Sequence, residues 1–349
     1  MNNTDNNNLS LLEMFGLSQD QVNLMLSTEH YITECDIKST NKKEPKQKWL
    51  QKWESKCKEQ GAEFIPESEL HNAFLNELSK SPNRTWYYII VLECLAFSAY
   101  TVLDPDKPKE FKGWDYRFKN QTDTIKEFFL KHNILNEDKI DSLYKTFKKS
   151  YSHLSGKIEK IAIGILSVIA IASLAAVLCS LKADKIAKKF WGKLFPALHG
   201  QALSNACLAY VGGGAIKFGG HGVQGGRMII AGGGALLGLS IGGTATGISS
   251  VLLLSSPQFA LTQAAKLETI LKEIILNEQK DVITAQKIIQ GLQSQVDELN
   301  SKITELELNN KDNEKEIKNI KKSVDYLIKS GKEMQRFTSS FDIGLHTTE

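Results

Sequence analysis

The sequence predicts an all-α protein with a helical N-terminal domain, a glycine-rich hydrophobic helical hairpin and a long C-terminal coiled-coil helix. Three observations predict it. Apolar residues recur at three-to-four spacing, and no stretch alternates convincingly at period two. Only 7 of 349 residues are proline, so long helices are permitted. From Leu271 to Leu327 apolar residues hold one heptad register.

Charge divides the chain into three composition regimes. Residues 1–150 carry 21 basic and 23 acidic side chains, residues 151–265 carry 9 and 2, and residues 266–349 carry 13 and 15. The middle third has almost no carboxylates and holds most of the glycine. The expected modules are a soluble helical domain over 1–150, a hydrophobic glycine-rich membrane-interacting region over 151–265, a coiled coil over 266–330 and a flexible tail over 331–349. Overall, 43 basic residues against 40 acidic give +3, which excludes a generally basic nucleic-acid coat. Five scattered cysteines without a C-x-x-C pair fit a reducing compartment. No charged segment followed by an apolar one opens the chain, so no secretory signal is expected.

In the N-terminal domain, Ser10 and Glu13 have capping-box spacing and open a short helix ending near Gly16. Ser18 caps a second helix through Val22 and Leu26. Trp49 and Trp53, four apart, share one face of a Lys- and Glu-rich helix. Trp86 to Leu103 touches the lower length limit of a membrane span, but its length and Glu93 favour a buried core helix. It stops at Asp104-Pro105 because proline disfavours helix in the preceding residue. Thr122 or Thr124 opens a helix through Phe128, Phe129 and Leu130. Asn136 caps another that carries Ile140, Leu143, Tyr144 and Phe147. The order of apolar helix, Asp-containing turn and short amphipathic helices over Tyr87 to Ser150 resembles the small all-helical tellurite-resistance-type domain. The turn lacks that domain's Asp-Gly, so no site residues carry over.

The middle third is the most informative. Ile161 to Leu181 is uncharged over 21 residues, with Lys157 and Lys160 before it and Lys182, Lys185, Lys188 and Lys189 after. As a helix it spans about 32 Å, close to the ~30 Å hydrocarbon core of a bilayer. Leu194 to Ile216 is a weaker uncharged stretch, and Met228 to Ala265 a longer one. Within the latter, Gly234, Gly238 and Gly242 recur every four residues and share one helix face. Such a row costs about 1 kcal/mol per glycine in water unless it faces another helix, and in lipid it permits close backbone approach. Gly220, Gly222 and Gly225 match G-x-G-x-x-G, but no strand precedes them, so no dinucleotide site is expected. The stretch Gly212 to Gly247 resembles a glycine-rich apolar region of uncharacterised bacterial helical proteins with a helical N-terminal domain and a coiled coil; the resemblance implies membrane association.

Topology sharpens this reading. If Ile161 to Leu181 crosses from the cytosol, the loop Lys182 to Lys193, with five lysines and one aspartate, lies outside, against the positive-inside tendency. A conditional or peripheral inserter escapes the conflict. Lys185, Lys188, Lys189 and Trp191 then sit at the lipid interface, lysines meeting anionic headgroups and the indole the boundary.

The coiled coil is read with Ile275 at position a. The a series runs through Val282, Ile289, Val296, Ile303, Asn310, Ile317 and Val324, and the d series from Leu271 through Leu292, Leu299, Leu306 and Asn313 to Leu327. β-branched residues at a with Leu at d favour two parallel strands, and Asn310 with Asn313 makes a polar layer that sets register. An intramolecular hairpin against N-terminal helices is the alternative. Gly331 ends the helix and Phe337 to Glu349 frays.

No H-E-x-x-H, G-x-S-x-G, phosphate-loop lysine or Cys with nearby His is present. No catalytic, metal or cofactor residues are assigned. The leading expectation is a non-enzymatic, membrane-associated or membrane-inserting protein that oligomerises through its coiled coil. Its layout resembles helical pore-forming toxins and bacterial defence effectors. The alternative is a static membrane-anchored scaffold or secreted effector recruiting partners through the coiled coil; an enzyme within 1–150 is a third class. The expected partners are the bilayer, a second copy of the chain and a protein partner for the N-terminal domain, without nucleic acid. The expected location is the inner membrane, facing the cytoplasm.

Overall fold

The computed structural model describes residues 17–41, 43–59, 62–81, 84–97, 99–100, 118–156, 202, 257–309 and 314–346. Every regular element among them is helical. The chain divides into two compact units, whose described parts are taken in turn.

The N-terminal body holds α1 (Gln19–Lys38), α2 (Lys43–Glu59), α3 (Glu67–Lys80), α4 (Thr85–Ala96), α5 (Phe118–Leu130) and α6 (Glu137–Ser155). Ser18 opens α1 with a full capping box: its hydroxyl accepts from the Gln21 N–H at 3.2 Å, and the Gln21 side chain accepts from the Ser18 N–H at 3.0 Å. The helix runs well beyond Leu26, to Lys38. It is central: α2, α3, α4 and α5 all pack on it. Its buried hydroxyls are satisfied locally, Ser27, Thr28 and Thr33 each donating to the carbonyl four residues back. Asn23 and Ser27 also accept from the Glu63 and Ile65 N–H groups, which fastens the loop before α3 to α1.

Trp49 and Trp53 do share a face of α2, stacked at 5.9 Å and fully buried. Pro45 falls in the first turn of α2, where a missing N–H costs nothing. The sequence reading passed over α3, whose start carries Pro66 with Glu67 and Glu69 in the first turn. The apolar helix at Trp86 is a core helix, buried from Thr85 to Ala96. It is shorter than expected, since Phe97 already turns to extended backbone rather than the chain remaining helical to Asp104. The next helix begins at Phe118, ahead of Thr122 and Thr124. Asn136 caps α6 as expected, accepting from the Lys139 N–H at 2.9 Å. Gly156, at φ 69, closes α6 in the left-handed conformation. The expected helix from Ser10 lies outside the described residues.

The C-terminal body holds α7 (Pro257–Ile270), a π-helical turn (Leu271–Leu276), α8 (Val282–Asn309) and α9 (Glu314–His346). The expected single rod is therefore broken twice. At the first break Asn277 to Lys280 is exposed, Lys280 takes φ 56, and Asp281 caps a new helix by accepting from the Thr284 N–H at 2.9 Å. The second lies between the end of α8 at Asn309 and the start of α9 at Glu314; residues 310–313 lie outside the described residues. Across it α8 and α9 run antiparallel. Lys321 pairs with Glu307 at 2.6 Å near the closed end, and Gly331 lies against Leu292 farther along.

The heptad seam is real but closes within the chain. Ala285, Ile289, Leu292, Val296, Leu299 and Ile303 on α8 are buried, as are Ile320, Val324 and Leu327 on α9. A linked partner is met at far higher effective concentration than a second chain, which is the physical reason the seam is covered from within. Gly331 does not end a helix: it lies inside α9, which continues through the expected tail to His346.

α7 runs alongside α9 in the same direction. Ser330 donates to the Ala264 carbonyl at 3.4 Å, Lys272 meets Glu333 at 3.0 Å, and the Lys280 ammonium lies 5.2 Å from the Phe341 ring. Residues 257–265, the end of the long uncharged stretch, are thus the first turns of a packed helix.

Candidate functional site

The residues singled out for helix packing (Gly234, Gly238, Gly242), for the lipid interface (Lys185, Lys188, Lys189, Trp191) and for register (Asn310, Asn313) all lie outside the described residues. The glycine row and the lipid-interface residues fall between α6 and α7 in sequence, and the two asparagines between α8 and α9.

Every residue from Ala260 to Leu276 is buried. That includes Lys266, Glu268, Lys272 and Glu273, so the segment encloses as many cations as carboxylates. Lys272 bridges Glu268 at 3.4 Å and Glu333 at 3.0 Å, and Arg336 closes on Glu333 at 3.0 Å. Burial alone would raise the Glu333 carboxyl, but hydrogen bonds from Arg336 and Lys272 pull it down to about 2. The π-turn sits beside this network. Its wider ladder runs from the Asn277 N–H to the Lys272 carbonyl at 3.0 Å and from the Gln279 N–H to the Ile274 carbonyl at 2.9 Å.

In the N-terminal body, α1 and α5 enclose a cavity of about 250 Å3 lined by Ile32, Cys35, Asp36, Ser39, Asp123, Thr124 and Glu127. Asp36 is tied down from its buried side. Its Oδ2 accepts from Lys46 at 2.5 Å and from the Tyr100 hydroxyl at 2.6 Å, and the Lys46 ammonium lies 4.5 Å from the Tyr100 ring. Burial raises the Cys35 thiol, and raises the Cys57 thiol further, which keeps both in the protonated, poorly nucleophilic form. Among the described residues no group of three or more His, Cys, Asp or Glu could hold a metal ion. Among them, too, no helix is long and apolar enough to cross a membrane.

A third cluster was not foreseen. His71 on α3 stacks on His132, in the turn after α5, with ring centroids 4.9 Å apart and planes 10° from parallel. Seven histidines without motif spacing carry no signal that two of them meet. No protein-family model matches this chain, and neither a curated protein nor a solved structure matches it significantly.

Proposed function

We propose that this chain is a non-enzymatic, membrane-inserting protein whose two helical bodies flank the lipid-engaging segment, acting as a permeabilising toxin or defence effector at the cytoplasmic face of the inner membrane. The observation that carries the reading is the composition of residues 151–265, with 9 basic and 2 acidic side chains and three uncharged runs. Among the described residues no helix competes as a membrane span. The apolar α4 has 12 residues, against about 20 needed for a span. The apolar seams of α8 and α9 are spent on each other. Self-association accordingly belongs to the glycine row, where close backbone contact drives helices together in lipid, rather than to the heptads. Lys185, Lys188, Lys189 and Trp191 would meet anionic headgroups.

A groove of about 520 Å3 between α8 and α9, lined by Ile289, Leu292, Val296, Leu327 and Gly331 with polar residues at its rim, favours a second reading. In that reading the hairpin recruits a protein partner to a static membrane scaffold. Flotation with anionic vesicles and dye release separate the two. Insertion requires that the full chain floats and releases dye, and that a chain lacking Ile161 to Leu254 does neither. A full chain that stays with the soluble fraction in the presence of vesicles refutes both.

A further inference from the structure

His132 is 5% exposed and is held by aromatic neighbours from three helices. Beyond the His71 stack, its ring lies 4.8 Å from Phe74 on α3 and 5.3 Å from Phe128 on α5. Its Nδ1 lies 2.8 Å from the hydroxyl of Tyr87 on α4. That hydroxyl also lies 3.1 Å from the Phe129 carbonyl, to which it donates its one proton when Nδ1 is the protonated nitrogen of the neutral His132 ring. The basic nitrogen of the ring is then Nε2, which is buried with no hydrogen-bond partner. The facing His71 has a buried nitrogen, Nδ1, that also lacks a partner.

Two stacked, parallel rings cannot direct in-plane lone pairs at one metal ion, so the pair is not a metal site. Its chemistry is that of protons. A proton arriving at Nε2 creates a buried N–H without an acceptor and a cation without a counter-charge. Burial is the main cause that lowers His132 to about 4, and the charges of His71 on α3 and Lys131 in its own turn add to it. Tyr87, from α4, stays neutral because burial raises its hydroxyl.

We propose that the His71–His132 pair is an acid-sensitive latch, in which protonation of His132 releases the α5–α6 turn from α3 and α4. Asn133 takes φ 54 in that turn, and α6, which follows it, precedes the Ile161 to Leu181 run in sequence. The proposal concerns the N-terminal body alone and does not rest on the membrane reading.

Amide hydrogen exchange on the full chain tests it, with rates corrected for intrinsic exchange at each pH. A shift from 6.5 to about 4 raises the opening constant of the α5–α6 turn about thirty-fold between pH 7.5 and pH 5. Amides of α1 and α2 should not follow. His132→Phe keeps the ring and removes the titration, so its pH response should fall below three-fold. His71→Phe should shrink the response without abolishing it. An equal response in wild type and His132→Phe, or a uniform rise across the whole N-terminal body, overturns the latch. Should His132→Phe not fold, the ring-proton titration of His132 in the wild-type chain decides: a midpoint near 4 supports the latch and one near 6.5 overturns it.

Discussion

Two side chains carry more of the N-terminal body than their number suggests. Asp36 and Lys46 are both buried, and breaking such a pair by removing one partner leaves a charge without compensation, at a cost of about 3–5 kcal/mol. Asp36→Ala should therefore lower the urea midpoint sharply. Asp36→Leu combined with Lys46→Met should recover most of the loss, because no charge is then stranded. In the C-terminal body the corresponding residue is Glu333. Its folded-state value lies below the unfolded one, so its contribution is complete above about 4.5 and disappears as pH falls through about 2. Glu333→Gln should cost on the order of 1–2 kcal/mol at pH 7, allowing for solvent screening. Melting curves of variant and wild type should converge near pH 2. His132 also loses its contribution on acidification, but in the higher window between 6.5 and about 4, so the two bodies should weaken at different pH.

At the scale of elements, α9 makes the sharpest distinction between expectation and structure. A glycine that ended a helix would resist substitution. Gly331 instead lies mid-helix, and a Cβ there would meet Leu292 Cδ2 at an ordinary 3.6 Å. Gly331→Ala should thus stabilise the hairpin by about 0.5–1 kcal/mol, read from thermal melts; a loss of stability would argue that α9 stops short of it. What the sequence made legible was mostly local. Ser18 and Asn136 cap helices where their side chains can reach an N–H two or three residues on, and Trp49 and Trp53 stack because four residues bring them round one turn. The heptad register was legible in part: most described a and d positions of α8 and α9 are buried, but Glu278, read at d, is exposed, and Val282 and Ile317, read at a, are half-buried. Its partner was not legible, since a seam records which face is apolar and leaves open whether the same chain covers it. The turn chemistry at Asp281 held part of that answer. The His71–His132 stack joins residues 61 apart on different elements, a proximity that no local pattern encodes.

At the scale of the whole molecule, the glycine row is where function should be most sensitive. On the proposed reading of the row as a helix-packing stripe, a leucine at Gly238 would force its helices apart, at about 1–3 kcal/mol of overpacking. Leu239→Ala changes size by a similar amount off the stripe. Dye release should be abolished by Gly238→Leu and by Gly234→Leu or Gly242→Leu, and largely retained by Leu239→Ala. Equal mildness in all four variants would remove helix packing from the mechanism. The chain lacking Ile161 to Leu254 should keep the helical content of both bodies by circular dichroism, because α6 ends before the deletion and α7 begins after it.

The enclosure of α7 has a consequence in time. Ala264 meets Ser330 across 66 residues of chain, and a ribosome adding roughly 5–20 residues each second needs on the order of 3–13 seconds to supply them. Throughout that interval the nascent α7 and the π-turn after it, which carry Leu267, Leu271 and Ile274, have no α9 to cover them. A chaperone that captures short apolar helices should cross-link to ribosome-stalled chains long enough to expose α7 and release the finished chain once α9 has left the ribosome.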